Sequence, residues 1–101
     1  MSPQDIEAEY LLGCEAYSRG DYGVALEKWR PIAIQGHSKA QYRVGCLHGQ
    51  GQGTNHNDSE AMMWFGLAAE QGDPDAQYAL GERYLTGIGV SRVGRSAIGG
   101  G

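Results

Sequence analysis

Apolar side chains return along this chain at helical spacing, interrupted at intervals by glycine. Ala8, Leu12 and the stretch from Cys14 to Ala16 share one face of a first helix. Ala40, Val44 and Leu47 share a face of another, and Ala76, Leu80 and Tyr84 share one of a third. Two further segments lie between these. One runs from Asp21 to about Gln35, with Ala25, Trp29, Ile32 and Ala33 at i, i+4, i+7 and i+8. The other runs from Asn57 to about Gln71, with Ala61, Phe65, Ala68 and Ala69 at the same spacing. The pattern predicts an all-α chain of five helices.

The ends of these segments carry capping residues. Ser2 is placed to cap the first helix, with Pro3 at its first position and Asp5 three residues after the cap. Asp73-Pro74 opens the fifth helix in the same way, and His37-Ser38 opens the third less clearly. Asn57 and Glu60 have the spacing of a capping box. Gly36 and Gly72 stand where a helix C-terminal glycine belongs. Pro31 removes one backbone donor inside the second helix, which predicts a kink near Glu27–Pro31.

A six-residue phrase is written three times: Ala8-Glu9-Tyr10-Leu11-Leu12-Gly13, Ala40-Gln41-Tyr42-Arg43-Val44-Gly45 and Ala76-Gln77-Tyr78-Ala79-Leu80-Gly81. The copies are 32 and then 36 residues apart, a period that marks a repeat architecture. The recurring glycine costs about 1 kcal/mol against alanine in mid-helix. Its return predicts a partner helix that approaches too closely for a side chain. The connectors differ. The second repeat has Gly51-Gln52-Gly53-Thr54 and the third has Gly87-Ile88-Gly89-Val90, whereas the first passes directly from Gly20 to Asp21. A phosphate-binding loop is the alternative reading of Gly-x-Gly, but no strand precedes it and no Lys-(Ser/Thr) follows.

Composition narrows the function classes. The 101 residues allow one small domain, and 41% hydrophobic with 20% charged residues is a globular balance. A formal charge of −4 disfavours nucleic acid as a partner. The charge is uneven: residues 1–27 hold six acids and one arginine, whereas Lys28, Arg30, Lys39 and Arg43 follow with no acid between them. No apolar run reaches transmembrane length, and Met1-Ser2-Pro3-Gln4-Asp5 lacks the regions of a signal peptide, so the expected location is the cytoplasm. Two cysteines are no disulfide framework.

The phrase, the Gly-x-Gly-x turn and Ala61-x-x-Trp64-Phe65-x-x-Ala68-Ala69-x-x-Gly72 together resemble the Sel-1-like repeat, a relative of the tetratricopeptide repeat. The likeness covers residues 8–90 or so. The first repeat departs from it in its short turn and in Lys28, which replaces the tryptophan; the third has Val93 at the cap position and only Ala97 of the second helix. The resemblance implies a short right-handed α-solenoid of about two and a half helix-turn-helix repeats. These are repeat one at 3–36, repeat two at 37–72 and a half repeat at 73–90, followed by a glycine-rich tail at 91–101. It also implies a non-enzymatic adaptor, often in bacterial regulation or envelope processes.

In the family's geometry the first helix of each repeat lines the concave face. Tyr10, Tyr42 and Tyr78 would then form a ladder, with Cys14, Cys46 and Glu82 nearby and Tyr17 one turn further on. This is a groove for a peptide or protein, with no cofactor. The bland alternative has the tyrosines packed between repeats with only their hydroxyls in water. Cys14 and Cys46 hold equivalent positions. Packed helices lie about 8–10 Å apart and a disulfide wants Cα atoms within about 7 Å, so the pair reads as free, half-buried thiols. Cys46, His48, His56 and Asp58 are conceivable zinc ligands, but no other copy repeats them and the spacing fits no common site. His37 reads as a helix cap rather than a base. No Ser-x-x-Lys or Gly-x-Ser-x-Gly occurs, so no catalytic residue is assigned. Two rival functions remain. One is a binder of small molecules or cell-wall fragments with a deep pocket near Cys46, His48 and Tyr78. The other is an assembly subunit that self-associates through the face of Leu80 and Tyr84, because solenoids need a polar cap over the last unit.

Overall fold

A computed structural model describes residues 2–86 of the chain. Five helices follow one another: α1 (Pro3–Ser18), α2 (Tyr22–Ile34), α3 (Ser38–Gln50), α4 (Asp58–Glu70) and α5 (Pro74–Thr86), with no strand among the described residues. The Gly87–Val90 turn and the tail lie outside them. Each helix packs on the next along the chain, α1 on α2, α2 on α3, α3 on α4 and α4 on α5. This is the serial arrangement of an all-α solenoid.

The helix ends explain how so short a chain turns so often. His37 N–H donates to Ile32 O at 3.0 Å and Gly36 N–H to Ala33 O at 3.0 Å, the paired bonds of a Schellman motif. Asp73 and Gly72 repeat this on Ala68 O (3.1 Å) and Ala69 O (2.9 Å), and Asp21 and Gly20 on Ala16 O (2.8 Å) and Tyr17 O (3.0 Å). Gly36 and Gly72 supply the positive φ these motifs need, at 106° and 94°. The residue after each glycine then opens the next helix. His37 Nδ1 accepts from Ala40 N–H at 3.1 Å, and Asp73 Oδ1 from Ala76 N–H at 3.0 Å. One residue thus ends one helix and starts another.

Ser2 and Asp5 form a complete capping box on α1. Asn57 and Glu60 form only half of one. Asn57 Oδ1 accepts from Glu60 N–H at 3.0 Å, but Asn57 N–H donates to His48 O at 2.9 Å. The Glu60 carboxylate instead accepts from Trp64 Nε1 at 3.1 Å. Helix α2 runs through Pro31 to Ile34.

Trp29, Ile32, Val44 and Leu47 are the largest fully buried side chains, and they join α2 to α3 at the centre of the molecule. Ala16, Ala25, Ala40, Ala61, Ala68 and Ala76 are also fully buried, small residues that let the helices approach. The expected closeness at the repeated glycine holds in two repeats. A Cβ on Gly13 would collide with the Trp29 indole, and one on Gly45 would lie 2.7 Å from the Phe65 ring.

The first apolar face departs from expectation. Ala40 and Val44 are buried, but their counterparts Ala8 and Leu12 are exposed. In the second repeat this face packs on α2, and no described helix stands before α1 to cover it.

Candidate functional site

Along α1, Tyr10, Cys14 and Tyr17 follow at i, i+4 and i+7 and so form one stripe. The stripe is half-buried, and its rings lean toward the second helix of their own repeat. Trp29 enters over Gly13 and donates from Nε1 to Tyr10 O at 2.9 Å. Its ring lies 6.2 Å from that of Tyr10 and 5.8 Å from that of Tyr17, while Tyr17 also meets Tyr22 at 5.2 Å. His37 completes the floor, its ring 5.1 Å from Tyr10.

Arg43 of α3 reaches back onto this cluster. Its guanidinium carbon lies 5.6 Å from the Trp29 ring centroid and 5.9 Å from that of Tyr17, within cation–π range. Its Nε donates to the Tyr10 hydroxyl at 3.4 Å, so the two repeats touch through their side-chain tips. Burial raises the Tyr10 hydroxyl above its ordinary pKa, with Arg43 offsetting part of the effect. The phenol therefore stays protonated near neutrality.

On α3 the same stripe continues as Tyr42 and Cys46. Tyr42 packs on Phe65 with centroids 5.7 Å apart, and its hydroxyl lies within hydrogen-bonding reach of the Cys46 thiol. Burial raises both groups, and Cys46 remains up-shifted although Tyr42, Arg43 and Arg83 pull the other way. A thiol kept protonated is a poor nucleophile. Cys14 and Cys46 are free and half-buried.

On α5, Tyr78 is 71% exposed and Glu82 is exposed. The three tyrosines hold equivalent positions, yet they do not stack on one another. Tyr10 and Tyr42 turn toward Trp29 and Phe65, because the glycine three residues on opens that side. The expected tyrosine ladder is thus replaced by two tyrosine–aromatic pairs and one exposed ring.

Arg83 forms a second cation–aromatic contact. It lies 5.4 Å from the Phe65 centroid and donates to Asp58 Oδ1 at 2.8 Å, passing over Gly49, where a Cβ would clash with it. The guanidinium holds the Asp58 carboxyl below its ordinary pKa, assisted by a hydrogen bond with His56.

The residues considered as zinc ligands are divided between separate contacts. His56 pairs with Asp58 at 2.9 Å, His48 lies buried 3.7 Å from Glu60, and Cys46 faces Tyr42. Among the described residues no three His, Cys, Asp or Glu side chains converge as a metal site requires. Cys46, His48 and Tyr78 likewise occupy different settings, a half-buried stripe, the interior and open solvent. The site thus offers ring faces, hydroxyls and a guanidinium, which are tools of recognition.

Sequence reasoning missed Arg43 and His37 as members of this surface, and the fully buried Trp29 as the ring beneath it. Arg43 had one usable signal: it is the only charged residue at the fourth position of the three phrases, where the others have Leu11 and Ala79.

Comparison with known proteins agrees with the repeat reading. The family model of the Sel1 repeat matches residues 6–25, 38–73 and 74–99, the last match continuing past residue 90. Protein sel-1 homolog 2 of Homo sapiens is 35% identical over 76 residues, which cover 70% of this chain and 11% of that protein. The DAP3-binding cell death enhancer 1 of Rattus norvegicus is 43% identical over 53 residues, covering 52% of this chain and 10% of the relative. The chain therefore spans about a tenth of the length of these relatives. Among solved structures, the c5321 protective antigen of uropathogenic Escherichia coli, which displays an SLR fold, superposes with a TM-score of 0.79 at 35% identity. The superposition covers 86% of this chain and 20% of the antigen.

Proposed function

Because the chain belongs to the Sel1 repeat family, whose members mediate protein–protein interactions, we propose that it is a non-enzymatic adaptor. On this reading the face made by α1, α3 and α5 receives a peptide or protein segment in the cytoplasm. One observation carries the reading. Aromatic side chains and Arg43 of two successive repeats meet at one half-exposed surface, in contact at 3.4 Å through Tyr10. A segment laid across it would gain ring contact from Tyr10, Tyr17 and Tyr42 together with directional hydrogen bonds. The name of the DAP3-binding relative supports protein binding as the use of such repeats.

Affinity capture from the native cell tests this. The wild type is compared with a Tyr42→Ala, Tyr78→Ala variant and with a Lys28→Ala variant, Lys28 lying on α2. A partner lost by the tyrosine variant and kept by the Lys28 variant supports the assignment. Equal capture by both variants removes it.

A further inference from the structure

We propose that Arg43 is the specificity anchor of this face and receives the side-chain carboxylate of an aspartate or glutamate in the partner segment. The inference rests on the adaptor reading above and deepens it by naming the partner's chemistry.

Arg43 is a half-buried cation whose surroundings are neutral. It touches the Tyr10 hydroxyl and the Tyr17 and Trp29 rings, with the Cys14 and Cys46 thiols nearby. The ion pairs between described side chains all involve other residues. Its one hydrogen bond among the described residues leaves from Nε, so both terminal amino groups keep their donors for an acceptor from outside the described chain. Two parallel N–H donors on a rigid plane match a carboxylate bidentately, and a backing of rings lowers the local dielectric in which they act.

Arg83 shows the completed form of the arrangement. Its guanidinium also lies against an aromatic ring, that of Phe65, and there Asp58 supplies the carboxylate at 2.8 Å. Arg43 has the ring and the hydroxyl, and no acid of the described chain fills the corresponding role. Two acids of the flanking helices act elsewhere: Glu7 lies 3.8 Å from His37, and Asp75 acts on Tyr42. The stretch 28–43 holds Lys28, Arg30, Lys39 and Arg43 and no acid, so no side chain of this stretch can neutralise Arg43. The formal charge of −4 on the whole chain disfavours a polyphosphate in the same place.

The test begins with selection of displayed random peptides on the full chain. Each recovered peptide is then synthesised with an amidated C-terminus, alongside a version in which every Asp and Glu becomes Asn or Gln. Fluorescence polarisation measures both against wild type, Arg43→Gln and Arg43→Lys, and circular dichroism melting checks that the variants fold. The expected result is a shared acidic position in the recovered peptides. The amide version of the peptide and Arg43→Gln should each weaken binding about ten- to hundredfold, and together no more than either alone. Arg43→Lys should lie between. If Arg43→Gln fails to fold, the amide peptide on wild type still decides. Peptides that bind this face without an acid, or whose affinity ignores Arg43, overturn the anchor and leave the adaptor reading standing. Dependence on a free C-terminal carboxylate alone also overturns it. Recovery of no peptide overturns both.

Discussion

His48 is a buried imidazole with unusual bookkeeping. Only 8% of its side chain is exposed, and neither ring nitrogen has a hydrogen-bond partner within the described structure. Glu60 stands 3.7 Å away, too far for a hydrogen bond. Burial lowers the His48 pKa; Glu60 opposes this and Arg30 adds to it. A base with a depressed folded pKa binds its proton more readily when unfolded. Stability is therefore full above the unfolded value, about 6.5, and declines as pH falls below it toward the folded value. Melting temperature should drop between pH 8 and pH 5, and His48→Gln should flatten that part of the profile. An unchanged slope in the variant would locate the pH dependence elsewhere. The sequence could not signal this, because His48 sits in a plain run of α3 and its burial depends on how α4 folds back.

At the scale of elements, two glycines of the same helical type have opposite roles. Gly45 of α3 lies where the Phe65 ring of α4 comes within 2.7 Å of any added Cβ, whereas a Cβ on Gly66 of α4 meets nothing within 4 Å among the described residues. Gly45→Ala should cost about 1–3 kcal/mol through overpacking, and Gly66→Ala should stabilise by up to about 1 kcal/mol through helix propensity. Urea denaturation of the two variants separates packing from propensity. Losses of equal sign and size would refute the close approach. Gly45 was legible because its phrase recurs; Gly66 stands outside any phrase and carries no such message. The caps were legible for a related reason, since Ser2, His37, Asn57 and Asp73 each act on backbone only three residues away. The Asn57–Glu60 box was half misread because Glu60 is claimed by Trp64, a partner one turn further along the same helix. The exposure of Ala8 and Leu12 was not legible, because a shared pattern does not say which copy of the face another described helix covers. The aromatic face was legible as a stripe of tyrosines, but their lean toward Trp29 and Phe65, and the reach of Arg43 across repeats, are tertiary facts.

Over the whole molecule, one residue of the repeated phrase joins each repeat to the one before it. Gln41 Nε2 donates to Ala33 O at 3.1 Å, and Gln77 Nε2 donates to Ala69 O at 3.3 Å, in both cases eight residues back on the preceding repeat's second helix. Gln71 adds to the first of these joints, donating to Gln41 Oε1 at 2.9 Å and to Gly36 O at 2.8 Å. The first phrase has Glu9 at this position, and there no described helix presents a carbonyl to it. In a solenoid, stability is a sum of repeat terms and nearest-neighbour terms, so a buried bond at the joint acts on cooperativity as well as on energy. Gln41 is only 5% exposed, and truncating it strips Ala33 O of its side-chain donor and removes the acceptor for Gln71. Gln41→Ala should therefore cost about 1–3 kcal/mol and broaden the denaturation curve as the repeats uncouple. Gln41→Glu should cost more, because a carboxylate would face a carbonyl oxygen with no donor between them. Glu9→Gln, the mirror change in the first repeat, should leave the curve within about 0.5 kcal/mol of the wild type. If Gln41→Ala shifted the midpoint as little as Glu9→Gln does, the repeats would be held by apolar packing alone, and the glutamine of the phrase would have no part in joining them.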